Sequence, residues 1–203
     1  MPDHVPPPFI LASSSPVRAR LLSNAGIAFQ ALPAAIDEDA VRQSHQLNGG
    51  SARDLADILA EMKSAKLSHK HPGALVIGAD QVLECDDRLF AKPDSREVAA
   101  EHLSFLSGRS HRLYSAAVVC QDGRPLWRNV GRVTLTMHRL SPAFIANYID
   151  RSWQDISGSV GCYLIEGEGP RLFSHIDGDF FHILGLPLIE LLTWLHIRGD
   201  ITT

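Results

Sequence analysis

Cysteine is scarce in this chain: Cys85, Cys120 and Cys162 are the only three in 203 residues, and they lie far apart. Without paired spacing they exclude a disulfide framework and a cysteine-built zinc site, and they fit a reducing compartment. Positive charge is scarce too. Nineteen Lys and Arg against 23 Asp and Glu leave a formal net charge of −4, so the basic field needed for non-specific nucleic-acid binding is missing and stable nucleic-acid binding is not expected. No apolar run approaches the roughly 18 residues of a membrane span. The opening MPDHVPPP has no basic start followed by an apolar stretch, and a cytoplasmic protein with no membrane partner is the expectation. Several chemistry motifs are also missing: G-x-x-x-x-G-K-[ST], a strand followed by G-x-G-x-x-G, H-E-x-x-H and G-x-S-x-G. Their absence removes the main support for P-loop, dinucleotide-binding, zincin and serine-hydrolase chemistry. Ten histidines are present, but at no ligand spacing.

What is present is enough length and apolar matter, 45% of residues, to bury a core without staples. Residues 1–8 read as a proline-rich tail and residues 9–203 as one domain. Phe9 to Ala12 reads as a strand, Ser13-Ser14-Ser15 as a turn, and Pro16 as the first turn of a helix capped by Ser15 and stopped at Gly26. Ile27 to Leu32 predicts a second strand, and the polar stretch from Pro33 to Gly50 a loop over a cleft. Leu55, Ile58, Leu59 and Met62 recur at helical spacing between Ser51 and His71, with Lys63 one residue past the stripe. The continuous apolar run Ala74 to Ala79 predicts a buried strand that Asp80 ends, and strand ends are where open α/β sheets place ligands. A turn at Asp86-Asp87, a short segment to Lys92-Pro93, a helix from Arg96 to Leu106, a hairpin around Gln121-Asp122-Gly123 and a helix opened by Ser141-Pro142 follow. A Gly-rich irregular stretch, a strand near Leu172 and an apolar helix from Leu188 to His196 end the chain. The fold class is α/β: a central mixed sheet with helices on both faces and an active-site cleft between two lobes.

Small constellations on this frame suggest phosphate chemistry. Ser13, Ser15 and Arg18 sit where hydroxyls, helix N–H groups and a guanidinium could hold phosphate, although an ordinary capped turn reads the same way. Glu38 and Asp80 could share a divalent metal through hard oxygen ligands, although Asp37-Glu38 alone also reads as a solvated loop. Lys63 and Lys92 could neutralise phosphate charge, and each alone also reads as a solvated lysine.

In order, the pieces resemble the Maf family of nucleoside triphosphate pyrophosphatases. The family's L-A-S-x-S-P-x-R-x-x-L-L matches LASSSPVRARLL at residues 11–22, and its acidic pair matches Asp37-Glu38. L-A-x-x-K-A matches residues 59–64, with Ser64 in the last place, and I-G-[AS]-D-x-V matches IGADQV at 77–82. K-P follows at Lys92-Pro93, L-S-G-x-x-H at Leu106–His111, and G-D before G-L-P at Gly178-Asp179 and Gly185-Leu186-Pro187. The resemblance implies hydrolysis of a nucleoside triphosphate to monophosphate and pyrophosphate with a divalent cation, Mg or Mn. It gives Asp80 the role of proton acceptor or metal-bound group. Ser13, Ser15, Arg18, Glu38, Lys63 and Lys92 take the phosphate- and metal-binding roles. A homodimer stays open.

Three positions depart from the family's pyrimidine branch. Where the dTTP/UTP branch carries Arg, Thr and Gln, this chain has Val17, Gln81 and Glu166; the 7-methyl-GTP branch carries Trp, Gln and Glu there. A carboxylate only accepts hydrogen bonds, which suits the N–H donors on guanine's edge and repels the carbonyls of thymine and uracil. The expected substrate is therefore 7-methyl-GTP or a related purine nucleotide. The alternatives are a dTTP/UTP enzyme of the same family and a non-catalytic nucleotide-binding regulator of cell division. A further departure is Asp155 to Gly161, where the family's D-K-A-G-A-Y-G lacks its Lys and the aromatic moves to Tyr163.

Overall fold

Seven strands, β1 (Phe9–Ala12), β2 (Phe29–Ala31), β3 (Leu75–Cys85), β4 (Arg88–Phe90), β5 (Ser110–Gln121), β6 (Arg124–Met137) and β7 (Phe173–Asp177), make one mixed sheet in the order β2-β1-β3-β5-β6-β7, with β4 pairing the far end of β3. The computed structural model describes residues 8–202; of the tail, residues 1–7 lie outside the described residues. The backbone carbonyl of Pro8 already accepts from Leu75 N–H. Strand β1 (Phe9–Ala12) runs parallel to β2 (Phe29–Ala31) and β3 (Leu75–Cys85). Strands β5 (Ser110–Gln121), β6 (Arg124–Met137) and β7 (Phe173–Asp177) continue the sheet antiparallel.

The alternation of side chains along β3 divides the molecule into two faces. Ile77, Ala79 and Leu83 join the large core under helices α1 (Pro16–Asn24), α4 (Arg96–Leu106), α5 (Pro142–Ile156) and α7 (Leu188–Arg198). Val82, with Ala116 and Val118 of β5, packs instead under α3 (Ala52–Ser68). Helices therefore cover both faces, as the sequence predicts. Ser15 caps α1 and Ser141 opens α5 as the sequence predicts, and Ser51 and Ser95 do the same for α3 and α4: each accepts an N–H from the first turn of its helix.

Three expectations need correction. The stretch Pro33–Gly50 is not all loop, because α2 (Glu38–Leu47) forms there. Asp37 caps it by accepting from Ala40 N–H, and Glu38 and Asp39 complement its dipole, but it buries no residue and so shows no apolar stripe. Asp80 does not end its strand: β3 runs on to Cys85, paired with β5 as far as Glu84. In α3, Ile58 and Met62 are exposed, and the buried face is Leu55, Ala56, Leu59, Ala60, Lys63, Ser64 and Leu67. Small residues on that face let the helix lie close to the sheet. Gly78 of β3 completes the approach, since a Cβ there would stand 2.1 Å from the Ala60 carbonyl oxygen and 2.7 Å from Ser64 N. A short helix, α6 (Phe180–Ile183), capped by Asp179, precedes α7.

Candidate active site

On one side, β3 pairs with β1 only through Gly78 and with β4 (Arg88–Phe90) only from Leu83. Residues 79–82 lack a strand partner on that side, and the cleft opens there. Its volume is about 340 Å³. This is the physical version of the strand-end expectation: Asp80 lies two residues beyond the last β1–β3 pair, where the parallel neighbour has ended and the antiparallel one has not begun.

The alternation of β3 sends Gly78, Asp80 and Val82 toward α3, and Lys63 meets Asp80 there. Lys63 Nζ lies 2.5 Å from Asp80 Oδ1 and 2.7 Å from Glu38 Oε1. The lysine and Asp80 side chains are 9% and 8% exposed, whereas Glu38 on α2 is 44% exposed. Burial alone would raise the Glu38 carboxyl, but the Lys63 hydrogen bond and the charges of Lys63, Lys92 and Arg42 outweigh it and hold the group below the ordinary glutamate range. Asp80 Oδ2 is buried and meets no hydrogen-bond donor among the described residues. A buried carboxylate oxygen without a partner is costly, so it is an atom available to a water, a metal or a phosphate-bound proton.

Arg18 occupies the space beside the unpaired stretch of β3. It donates from Nε to the Gly185 carbonyl (2.8 Å), and from Nη1 to the Ala79 carbonyl (3.0 Å) and the Ser13 hydroxyl (3.3 Å). Burial lowers its pKa from the ordinary arginine value, opposed by the charges of Asp80 and Glu38. Gly185, at φ +90, lets the carbonyl come this close, since a Cβ would stand 3.2 Å from the guanidinium. Ser13 Oγ also accepts from Ser15 N–H, which ties the serine turn to the α1 N-terminus. Arg18 thus braces the β1 turn, β3 and the G-L-P segment while facing the cleft.

The structure brings Ser13, Ser15, Val17, Arg18, Glu38, Lys63, Asp80, Gln81 and Lys92 to the cleft wall. It does not bring Glu166 there: that side chain pairs with Arg20 on the exposed side of α1, while its neighbour Ile165 lines the cleft. Gln81 points to the opposite face from Asp80. Its amide donates to Ser115 Oγ and to the carbonyls of His182 and Ile183, holding α6 in place. Arg42 and Val160 also line the cleft and are not singled out by the sequence, and Tyr163, the displaced aromatic, lines it as well. Tyr163 is held by His111, whose Nε2 lies 2.9 Å from the tyrosine hydroxyl; burial pulls His111 down to about 4 and pushes Tyr163 up. Spacing could not reveal Arg42, because it follows no apolar periodicity.

Three carboxylate residues, Glu38, Asp39 and Asp80, line the cleft, and among the described residues no three His, Cys, Asp or Glu side chains form a metal-binding group. The Asp80 and Glu38 carboxylates nonetheless fit a hard divalent ion that would draw its remaining ligands from phosphate oxygens and water. They do not fit a soft metal that requires sulfur or imidazole.

Residues 8–197 match the Maf-like protein family. A protein of Jannaschia sp. named nucleoside triphosphate pyrophosphatase 1 is 52% identical over 94% of this chain and 96% of its own length. A nucleoside triphosphate pyrophosphatase of Roseobacter denitrificans is 50% identical over 97% and 99%. A protein of Mesorhizobium japonicum named 7-methyl-GTP pyrophosphatase is 48% identical over 95% and 96%. Among the described residues no helix is long and apolar enough to cross a membrane.

Proposed function

The chain belongs to the Maf-like protein family, and from that premise we propose that it splits the α–β anhydride of a purine nucleoside triphosphate, 7-methyl-GTP among them, releasing monophosphate and pyrophosphate. It is a hydrolase of the nucleoside triphosphate pyrophosphatase class. The observation that carries the mechanism is the buried Asp80 carboxylate, with one oxygen on Lys63 and the other unpartnered. The unpartnered oxygen accepts a proton from the attacking water as the water oxygen bonds to phosphorus and the bridging P–O bond breaks. Lys63 fixes the Asp80 carboxylate through Oδ1 and keeps a positive charge beside the reacting phosphate. Lys92, which also lines the cleft and acts on Glu38 through its charge, adds positive charge. Arg18 and Ser13, locked to the β1 turn, position the phosphate against Asp80. Asp80 and Glu38 would hold a divalent ion, Mg or Mn, which would supply charge neutralisation on the phosphate oxygens.

The purine preference is supported by the accept-only chemistry of Glu166 and by the relative named for 7-methyl-GTP. Glu166 pairs with Arg20 outside the cleft lining, so in this reading that exposed pair opens for the carboxylate to meet the base, whereas Val17 and Gln81 line the cleft itself. A panel of 7-methyl-GTP, GTP, dTTP, UTP and CTP tests it. The expected result is that both guanine nucleotides exceed dTTP and UTP in kcat/KM. A tenfold preference for dTTP or UTP removes the base-reading role of Glu166 and leaves the cleavage chemistry standing.

A further inference from the structure

We propose that Arg42 is a substrate-binding residue whose guanidinium takes the polyphosphate of the substrate, and the pyrophosphate after cleavage, from the α2 side of the cleft. The inference rests on the pyrophosphatase reading of the cleft and deepens it. Helix α2 buries no residue completely, and a long cationic side chain on such a helix ordinarily extends into water. Arg42 instead lines the cleft, with Nε and Nη1 both buried and without a hydrogen-bond acceptor among the described residues. A guanidinium desolvated in this way is unfavourable unless something meets it, and its fork matches two phosphate oxygens.

The neighbouring charges identify an anion as that partner. The cleft wall carries Arg18, Arg42, Lys63 and Lys92 against Glu38, Asp39 and Asp80. Arg18 is committed to two carbonyls and a hydroxyl, and Lys63 to Glu38 and Asp80. Arg42 and Lys92 make no ion pair among the described residues, yet both act on the Glu38 carboxyl through their charge. Two uncommitted cations thus flank the Glu38–Lys63–Asp80 group on the α2–α3 face, in a chain whose net charge is −4. The larger apolar lining residues, among them Leu113, Val160 and Ile165, belong to the core on the opposite face of the sheet, while the α3 side contributes only small ones such as Ala12 and Ala34. Phosphate therefore belongs on the Arg42 side and the base on the other.

Arg42→Gln and Arg42→Lys, with inorganic pyrophosphate as the probe, test the inference. Arg42→Gln is expected to weaken pyrophosphate binding at least tenfold by calorimetry and to raise KM by a similar factor, with a smaller change in kcat. Its ligand-free Tm stays level or rises, because a desolvated charge has been removed. Arg42→Lys restores part of the binding, since it keeps the charge and loses the fork. Pyrophosphate affinity and KM within twofold of wild type in Arg42→Gln overturn the inference, as does a lowered Tm with unchanged affinity, which marks a structural arginine. The two readings separate cleanly. Turnover that is insensitive to Arg42 keeps the enzyme and removes this site, whereas Arg42-dependent pyrophosphate binding in a protein that hydrolyses no triphosphate keeps the site and removes the enzyme.

Discussion

Replacing Lys63 with Met tests the electrostatics of the site through stability alone. Methionine keeps the unbranched apolar stem that packs along α3 but removes the ammonium between Asp80 and Glu38. Removing one member of a buried ion pair costs about 3–5 kcal/mol. Asp80, at 8% exposure, is in that regime, whereas Glu38, at 44%, is nearer to the roughly 0–1 kcal/mol of a solvated pair. The net destabilisation expected at pH 7 is about 2–4 kcal/mol, or about 5–15 °C in Tm for a domain of this size. The pH dependence gives the argument its sign. The folded protein holds the Glu38 carboxyl below its ordinary range, so the stability this contributes is present above the unfolded value of about 4.3 and is lost as pH falls through the folded one. In Lys63→Met that contribution is already gone, and protonating a carboxyl relieves the repulsion left behind. The gap between wild type and variant should therefore be widest near pH 7 and close toward pH 4. Thermal melts across that range decide it: a gap that is absent, or equal at both ends, refutes the reasoning.

Other outcomes follow from the same geometry. Asp80→Asn keeps an acceptor for Lys63 and so retains the fold by circular dichroism, while turnover falls by about 10²–10⁴-fold; wild-type activity in the folded, metal-loaded variant contradicts the role of Asp80. Gly78→Ala drives a methyl into the Ala60 carbonyl and Ser64 N, and urea unfolding should show a loss of about 1–3 kcal/mol together with reduced kcat as α3 and Lys63 shift; unchanged stability would mean that α3 does not lie that close. His111, held neutral by burial down to about 4, takes up a proton only in the unfolded state between pH 6.5 and 4. Stability should therefore fall by about 2–4 kcal/mol across that window. His111→Gln should flatten that slope, and an identical slope in the variant excludes His111 as its source.

Much of this was legible from residues alone, for reasons that differ by element. Serine caps and a Pro at N1 write helix starts into local sequence, which is why α1, α4 and α5 begin where their sequences say. Helix α2 was illegible because it buries no stripe and its signals are only a capping Asp and two acids. The buried face of α3 was misjudged because a helix packed against a glycine uses Ala and Ser, so the larger Ile58 and Met62 fall outside. Asp80 was found through an apolar run that ends chemically but not structurally, since β5 continues to pair beyond it. Tertiary geometry alone brings Lys63 between two acids 25 residues or fewer away on each side in sequence, and turns Arg42 inward.

The position of the broken bond defines the reaction. Hydrolysis of 7-methyl-GTP and GTP in water labelled with heavy oxygen, followed by phosphorus NMR and mass spectrometry, measures this directly. The expected first products are pyrophosphate and nucleoside monophosphate, with one label in either of them and none in orthophosphate released from the triphosphate. Orthophosphate and nucleoside diphosphate as first products would contradict cleavage at the α–β anhydride.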